Sequence, residues 1–126
     1  MLVLDSGGVS RLAERSPTSV AMIRAFRTAG LWPPLVPSVV LVESLRGSAG
    51  PDARTNQFLK TCDVHERLPA STARRAAALR TSARRGSAVD AVVVALAEPG
   101  GTVVTGDVRD LSSLAVHAVD VSIEAI

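Results

Sequence analysis

The chain has 126 residues, 47% of them apolar and 21% charged, which suits one globular domain of roughly 100–200 residues and excludes a disordered tail. Fourteen basic against twelve acidic residues leave a net charge of +2, and every cation but Lys60 is an arginine. The only aromatics are Phe26, Trp32 and Phe58, which excludes a nucleic-acid binder that stacks bases on exposed rings, so a polynucleotide partner would have to be held by charge.

A single cysteine, Cys62, excludes an internal disulfide framework and fits a reducing, cytoplasmic setting. No apolar run reaches the ~18–20 residues needed to cross a bilayer, and no secretory signal pattern opens the chain. Leu2-Val3-Leu4 reads as a short buried strand that runs into Asp5. Gly7 and Gly8 read as turn glycines that break this strand, followed by a short helix over 10–14. Ser16 as N-cap and Pro17 in the first turn open a helix that Gly30 closes, with Val20, Ile23, Ala25, Phe26 and Ala29 as its core-facing stripe. Leu35-Val36 is the second strand. Ser38 then caps a helix through Arg46, which Gly47 terminates. A loop over 48–52 leads into a helix ending near Lys60, and a weak strand surrounds Val64. The Ala- and Arg-rich stretch 70–85 is helical, and Ser87 opens another helix reaching about Ala97. Pro99-Gly100-Gly101 is a break, Thr102–Thr105 a central strand, 110–114 a helical turn and 116–121 an edge strand. Strands alternating with helices imply a parallel α/β sheet.

Several acids stand in unusual places. Asp5 ends the first strand, Asp107 follows the strand over 102–105 after one glycine, and Asp110 lies three residues further on. Ligand sites of open parallel sheets lie beyond the carboxyl ends of the strands, so these acids share an edge. Glu43 interrupts Val39-Val40-Leu41-Val42, and Asp90 interrupts Val89 and Ala91–Ala95. Each has a plainer alternative: Asp5 as a cap, Asp90 as the partner of Ser87 in a capping box, Asp107 and Asp110 as turn formers, Glu43 in a core ion pair. Taken together, carboxylates gathered in one place repel one another, and a buried one is costly unless compensated. A divalent cation removes that cost, and Mg²⁺ or Mn²⁺ suits oxygen ligands. Zinc fails on ligand supply, because Cys62, His65 and His117 make no zinc-type set. No Gly-x-Ser-x-Gly elbow, phosphate loop or dinucleotide fingerprint is present.

Val3-Leu4-Asp5-Ser6, Val42-Glu43-Ser44-Leu45 with Arg46-Gly47, Asp90-Ala91-Val92-Val93, and Val103-Val104-Thr105-Gly106-Asp107-Val108-Arg109-Asp110-Leu111 together resemble the PIN-domain ribonucleases. Their order and the chain length resemble the VapC-type toxins of bacterial toxin–antitoxin pairs. The resemblance covers residues 1–126 as a single domain and implies a three-layer α/β/α fold around a mostly parallel sheet of four to five strands. It implies Asp5, Glu43, Asp90 and Asp107 as metal-holding catalytic acids, with Asp110, Thr105 and Ser6 as auxiliary residues and Mg²⁺ or Mn²⁺ as cofactor. It further implies an endoribonuclease that forms homodimers and is silenced by a cognate antitoxin, in a heterotetramer or larger assembly. One position departs from the pattern: Gly7 stands where such proteins often carry a polar residue.

The expected grip on RNA is the acid-free stretch from Arg67 to Val89, with Arg74, Arg75, Arg80, Arg84 and Arg85 as candidate phosphate contacts; a solvated helix face is the alternative. Two other readings remain open on the residues alone. One is a protein-interaction module that keeps the fold without the chemistry. The other is a small phosphotransfer or phosphatase domain, which the missing acid two residues after Asp5 opposes. The Met22, Ile23 and Phe26 face is either core or a surface for a partner.

Overall fold

The computed structural model describes residues 1–126. Five strands, β1 (Leu2–Leu4), β2 (Leu35–Pro37), β3 (Asp63–His65), β4 (Thr102–Thr105) and β5 (Ser122–Ala125), form one sheet. Its order is β3-β2-β1-β4-β5, and every pair is parallel. Seven helices connect them: α1 (Ser6–Ala13), α2 (Pro17–Thr28), α3 (Ser38–Ser44), α4 (Ala49–Leu59), α5 (Ala70–Ala83), α6 (Ala88–Ala97) and α7 (Val108–Ala115).

Handedness decides where the helices go. The chain steps from β1 to β2 to β3 in one direction, then returns across the sheet to β4 and β5. Right-handed crossovers therefore put α1–α4 on one face and α5–α7 on the other. The contacts agree, since α1 packs on α2, α3 and α4 while α6 packs on α5 and α7. The result is the three-layer PIN-like architecture. The direction of winding reverses between β1 and β4, where Val3 lies between Leu35 and Val103.

The three central strands are apolar on both faces, as a doubly covered parallel sheet requires; Leu2, Val3, Leu4, Val36, Val103 and Val104 are fully buried. From one side Val9 and Leu12 of α1 close onto them, and from the other Val93 and Val94 of α6 with Leu111 and Leu114 of α7. No helix is long and apolar enough to cross a membrane.

The structure corrects several expectations from sequence. Gly7 and Gly8 do not form a turn: α1 begins at Ser6 and contains both, because Asp5 caps it directly by accepting the Gly8 N–H at 2.7 Å. On α2 the stripe is only partly covered; Ile23 and Phe26 are half-buried, whereas Val20, Ala25 and Ala29 are exposed. Helix α2 packs on α1, and Arg27 near its end lies over the Trp32 ring at 5.2 Å. Ser38 is the first helical residue of α3 and not its cap, and the helix stops at Ser44, two residues before Arg46. Nor is α3 buried all round, since Val42 and Glu43 are exposed. Helix α5 ends at Ala83, where Arg84 takes a left-handed conformation at φ 53°. The turn at 110–114 is a full helix, α7, because Asp107 caps it. The last strand lies at 122–125; residues 116–121 form the turn that returns to it, tied down by the Val119 N–H on Glu98 at 2.9 Å. All sheet pairs are parallel, where a mostly parallel sheet was expected.

Candidate functional site

The reversal between β1 and β4 opens a crevice at their carboxyl ends, the place where open α/β sheets bind ligands. Asp5 stands there at the end of β1 and is only 6% exposed. One carboxylate oxygen accepts the Gly8 N–H; the other accepts the hydroxyl of Thr105, the last residue of β4, in a short hydrogen bond. Thr105 is fully buried and its oxygen also accepts the Asp107 N–H at 2.8 Å. One hydroxyl thus joins the acid of β1 to the backbone that presents the acid after β4.

Two glycines make this closeness possible. A Cβ on Gly8 would stand 2.5 Å from the Val104 carbonyl oxygen, and one on Gly7 2.7 Å from the Gly106 backbone nitrogen. The first turn of α1 lies directly against β4 and the loop that follows it. Beside Gly106 there is no room for a side chain at Gly7, the position at which the sequence departs from the pattern it resembles.

Burial pushes the Asp5 carboxyl above its ordinary value of 3.8, against the pull of its Thr105 and Gly8 hydrogen bonds; Asp90 and Asp107 push it further up. These two acids are therefore its electrostatic neighbours. Asp90 is half-buried in the first turn of α6, where it accepts the Ser87 N–H at 3.0 Å while Ser87 Oγ accepts its own N–H at 3.0 Å. The capping-box reading of Asp90 holds, and the cap aims α6 at the same edge. Asp107 is exposed and caps α7 through a long 3.5 Å contact from the Asp110 N–H. Ser6 follows Asp5 half-buried at the start of α1.

Glu43 is not brought to this group. It lies at the sixth of seven positions of α3, exposed and without a hydrogen bond, and it is absent from the charges that act on Asp5. Asp110 is engaged elsewhere, accepting Arg85 Nε at 2.7 Å. No three acidic, histidine or cysteine side chains converge closely enough to enclose a metal ion. Mg²⁺, however, commonly uses one or two carboxylates and retains several waters. Asp5 keeps unused lone pairs on both oxygens, and a cation would offset the burial and repulsion that raise its pKa, so the donor set fits an ion held largely through water.

The expected arginine grip divides. Arg75 is committed to Glu98 through two hydrogen bonds of 2.8 and 2.7 Å and to the His117 carbonyl. Arg85 pairs with Asp110, and Arg80 reaches the Gly86 carbonyl at 3.4 Å. Arg74 and Arg84 are exposed and have no acidic partner. Sequence reasoning missed Gly8 and Gly106 as packing determinants, whereas the pairing of Ser87 with Asp90 was readable from their spacing. A glycine pair directly after a strand-ending acid was the available signal. None of the molecule's cavities is lined by Asp5, Asp90 or Asp107; Asp107 is exposed, Asp90 half-buried and Asp5 buried.

No protein-family model matches the chain, and no curated protein sequence matches it. Among solved structures it is similar to VapBC2 from Rickettsia felis bound to a DNA fragment from their promoter. The match covers 100% of this chain and 99% of that one at a TM-score of 0.71 and 13% identity. At that identity the likeness establishes the fold.

Proposed function

We propose that the chain is a divalent-metal-dependent endoribonuclease of the VapC type, the toxin of a toxin–antitoxin pair acting in the cytoplasm. The observation that carries this reading is the buried Asp5 at the switch point, hydrogen-bonded to Thr105 and raised in pKa beside Asp90 and Asp107. A carboxylate kept in that setting gains most from a cation. The toxin–antitoxin assignment rests on the full-length likeness to VapBC2 and on the ordered acids of the sequence. A cognate antitoxin is accordingly the expected partner, with homodimers and a heterotetramer or larger assembly.

In this reading Asp5 and Asp107 hold Mg²⁺ or Mn²⁺, with Asp90 orienting its waters. When bound, the ion supplies an acidified water and neutralises charge on the phosphate. Thr105 orients the Asp5 carboxylate by donating its hydroxyl to one oxygen while the Gly8 N–H donates to the other, and its own oxygen accepts the Asp107 N–H. Ser87 keeps Asp90 in one rotamer at the mouth of the crevice. Glu43 can act only on a substrate or ion that reaches the end of α3. Acids outside any enclosed cavity suit a polymer chain, whereas a closed pocket would favour a small phosphate ester.

The test is Asp5→Asn, assayed on single-stranded RNA and on a phosphate monoester, with Mg²⁺ or EDTA. RNA cleavage is expected in wild type with Mg²⁺ alone, falling by more than about 100-fold in the variant, since even indirect partners of a metal cost 10–100-fold. Mg²⁺ is also expected to raise the Tm of wild type but not of Asp5→Asn. Cleavage undiminished by the substitution would overturn the assignment, and monoester hydrolysis alone would favour a phosphatase.

A further inference from the structure

A cleft of about 620 Å³ runs along the seam between α1 and α4, lined by Ser10, Glu14, Arg15, Arg54, Thr55 and Gln57 among others. Its only apolar side chains are small: Ala13, Ala53 and Pro51. Its own lining carries no large apolar side chain to anchor an amphipathic helix and no aromatic ring to stack a base. An adjoining cavity that shares Ala13, Arg15 and Gln57 with it holds Leu12, Ile23, Trp32 and Phe58. Neither Arg15 nor Arg54 has a carboxylate within ion-pair distance or a hydrogen-bonded acceptor, although Glu14 lines the same cleft. Arg15 is moreover one of three non-glycine residues with positive φ, at 57°. That conformation is held between the cap of α1 and the Ser16 cap of α2, and Arg15 lines both this cleft and the adjoining cavity beside Trp32. The guanidinium fork is the side-chain group best matched to a phosphate, which it can grip through two parallel hydrogen bonds.

Position relates the cleft to the acids. Asp5 caps the start of α1, and Arg15 lies ten positions further on, beyond the other end of the helix and about 15 Å along the axis at 1.5 Å per residue. A strand with one phosphate at Asp5 that ran along this seam would bring phosphates several nucleotides away, and not the adjacent ones, to Arg15.

We infer that the α1–α4 cleft is a phosphate-binding subsite for single-stranded RNA, with Arg15 and Arg54 contacting the backbone of nucleotides several positions from the one at the carboxylate edge. The inference rests on the ribonuclease reading and names where that enzyme holds its substrate. It shifts the grip from the α5 arginines, several of which are already bonded within the fold, to the opposite helical layer. Recognition of this kind reads backbone charge and is blind to base identity.

The experiment measures binding of a short fluorescein-labelled single-stranded RNA by anisotropy in EDTA, across a salt series. Arg15→Gln with Arg54→Gln is expected to weaken binding roughly ten-fold. It should flatten the slope of log K against log salt by about 1.4, at ~0.7 per phosphate contact on a single strand. The matched charge loss Arg24→Gln with Lys60→Gln, which lies outside the cleft, is expected to change affinity by less than about two-fold. Arg15→Lys with Arg54→Lys should keep the salt slope. Equal losses in the two double glutamine variants would overturn the subsite. Tighter Arg15- and Arg54-dependent binding of poly-glutamate than of RNA would overturn it too, reassigning the cleft to an acidic peptide. Failure of wild type to bind the RNA at all would instead sink the ribonuclease reading beneath it.

Discussion

The two helical layers differ in their arginine–carboxylate pairs, which occur only in the α5–α7 layer. In the α5–α7 layer, arginines close the structure on itself: Arg75 clamps Glu98 and the His117 carbonyl, and Arg85 joins the α5–α6 loop to Asp110 on α7. In the α1–α4 layer, Arg15 and Arg54 have no acidic partner, and the layer is fixed to the sheet by a backbone approach at Gly7 and Gly8. The difference shows that a run of cations in sequence says little about free positive charge. What counts is whether folding sets a carboxylate opposite each one.

The largest effect is expected from the glycine contact. Gly8→Ala drives a methyl group to 2.5 Å from the Val104 carbonyl oxygen, which belongs to a central strand and cannot move aside. Overpacking of this kind costs about 1–3 kcal/mol, and the better helix propensity of alanine returns at most ~1 kcal/mol. A net loss of about 1–2 kcal/mol is expected in urea unfolding, with weaker Mg²⁺ stabilisation as Asp5 parts from Thr105. An unchanged midpoint would show that α1 does not depend on this approach.

Next comes the Arg75–Glu98 clamp. Glu98→Gln keeps the shape of the acceptor and removes its charge, so a loss of about 1 kcal/mol is expected. The pH dependence fixes the cause. The Arg75 hydrogen bonds hold the Glu98 carboxyl below its ordinary 4.5. Its stabilisation is therefore complete above pH 4.5 and is lost as pH falls through the lower folded value. The gap between wild type and Glu98→Gln should close in acid below 4.5; a gap that persists there would place the effect in packing and not in charge.

Most of the framework was legible in the sequence because it is written in local chemistry. Strands β1 and β4 are short apolar runs that end on polar residues, α2 opens on Ser16-Pro17, and α6 is capped by Ser87 with Asp90. The edge shared by Asp5, Asp90 and Asp107 followed from parallel topology alone. Long-range pairing was not legible. Nothing local distinguishes Arg75, whose partner is 23 residues away, from Arg74, which has none. Gly7 and Gly8 look like a turn because the reason for them, the Val104 carbonyl and the Gly106 backbone, lies about a hundred residues further along the chain. The exposure of Glu43 was hidden by apolar neighbours, since Val42 beside it is itself 81% exposed.

The smallest expected effect tests the layer contrast most finely. Arg85 and Asp110 form a partly exposed pair, with side chains 41% and 32% accessible. Such pairs contribute about 0.2–1 kcal/mol and are screened by salt. Arg85→Gln and Asp110→Asn should each cost about 0.5 kcal/mol at low salt. The double variant should cost no more than either single change, because each already removes the whole interaction. In 1 M salt, where the Debye length is about 3 Å, the losses should shrink. A strictly additive double variant would mean that the two side chains act separately. Asp110 would then be free to serve as an auxiliary acid at the crevice, and Arg85 to hold phosphate beside Arg84. Coupling, in contrast, assigns both to the internal bonding of the α5–α7 layer, leaving Arg74 and Arg84 among the arginines of the 67–89 stretch without an acidic partner there.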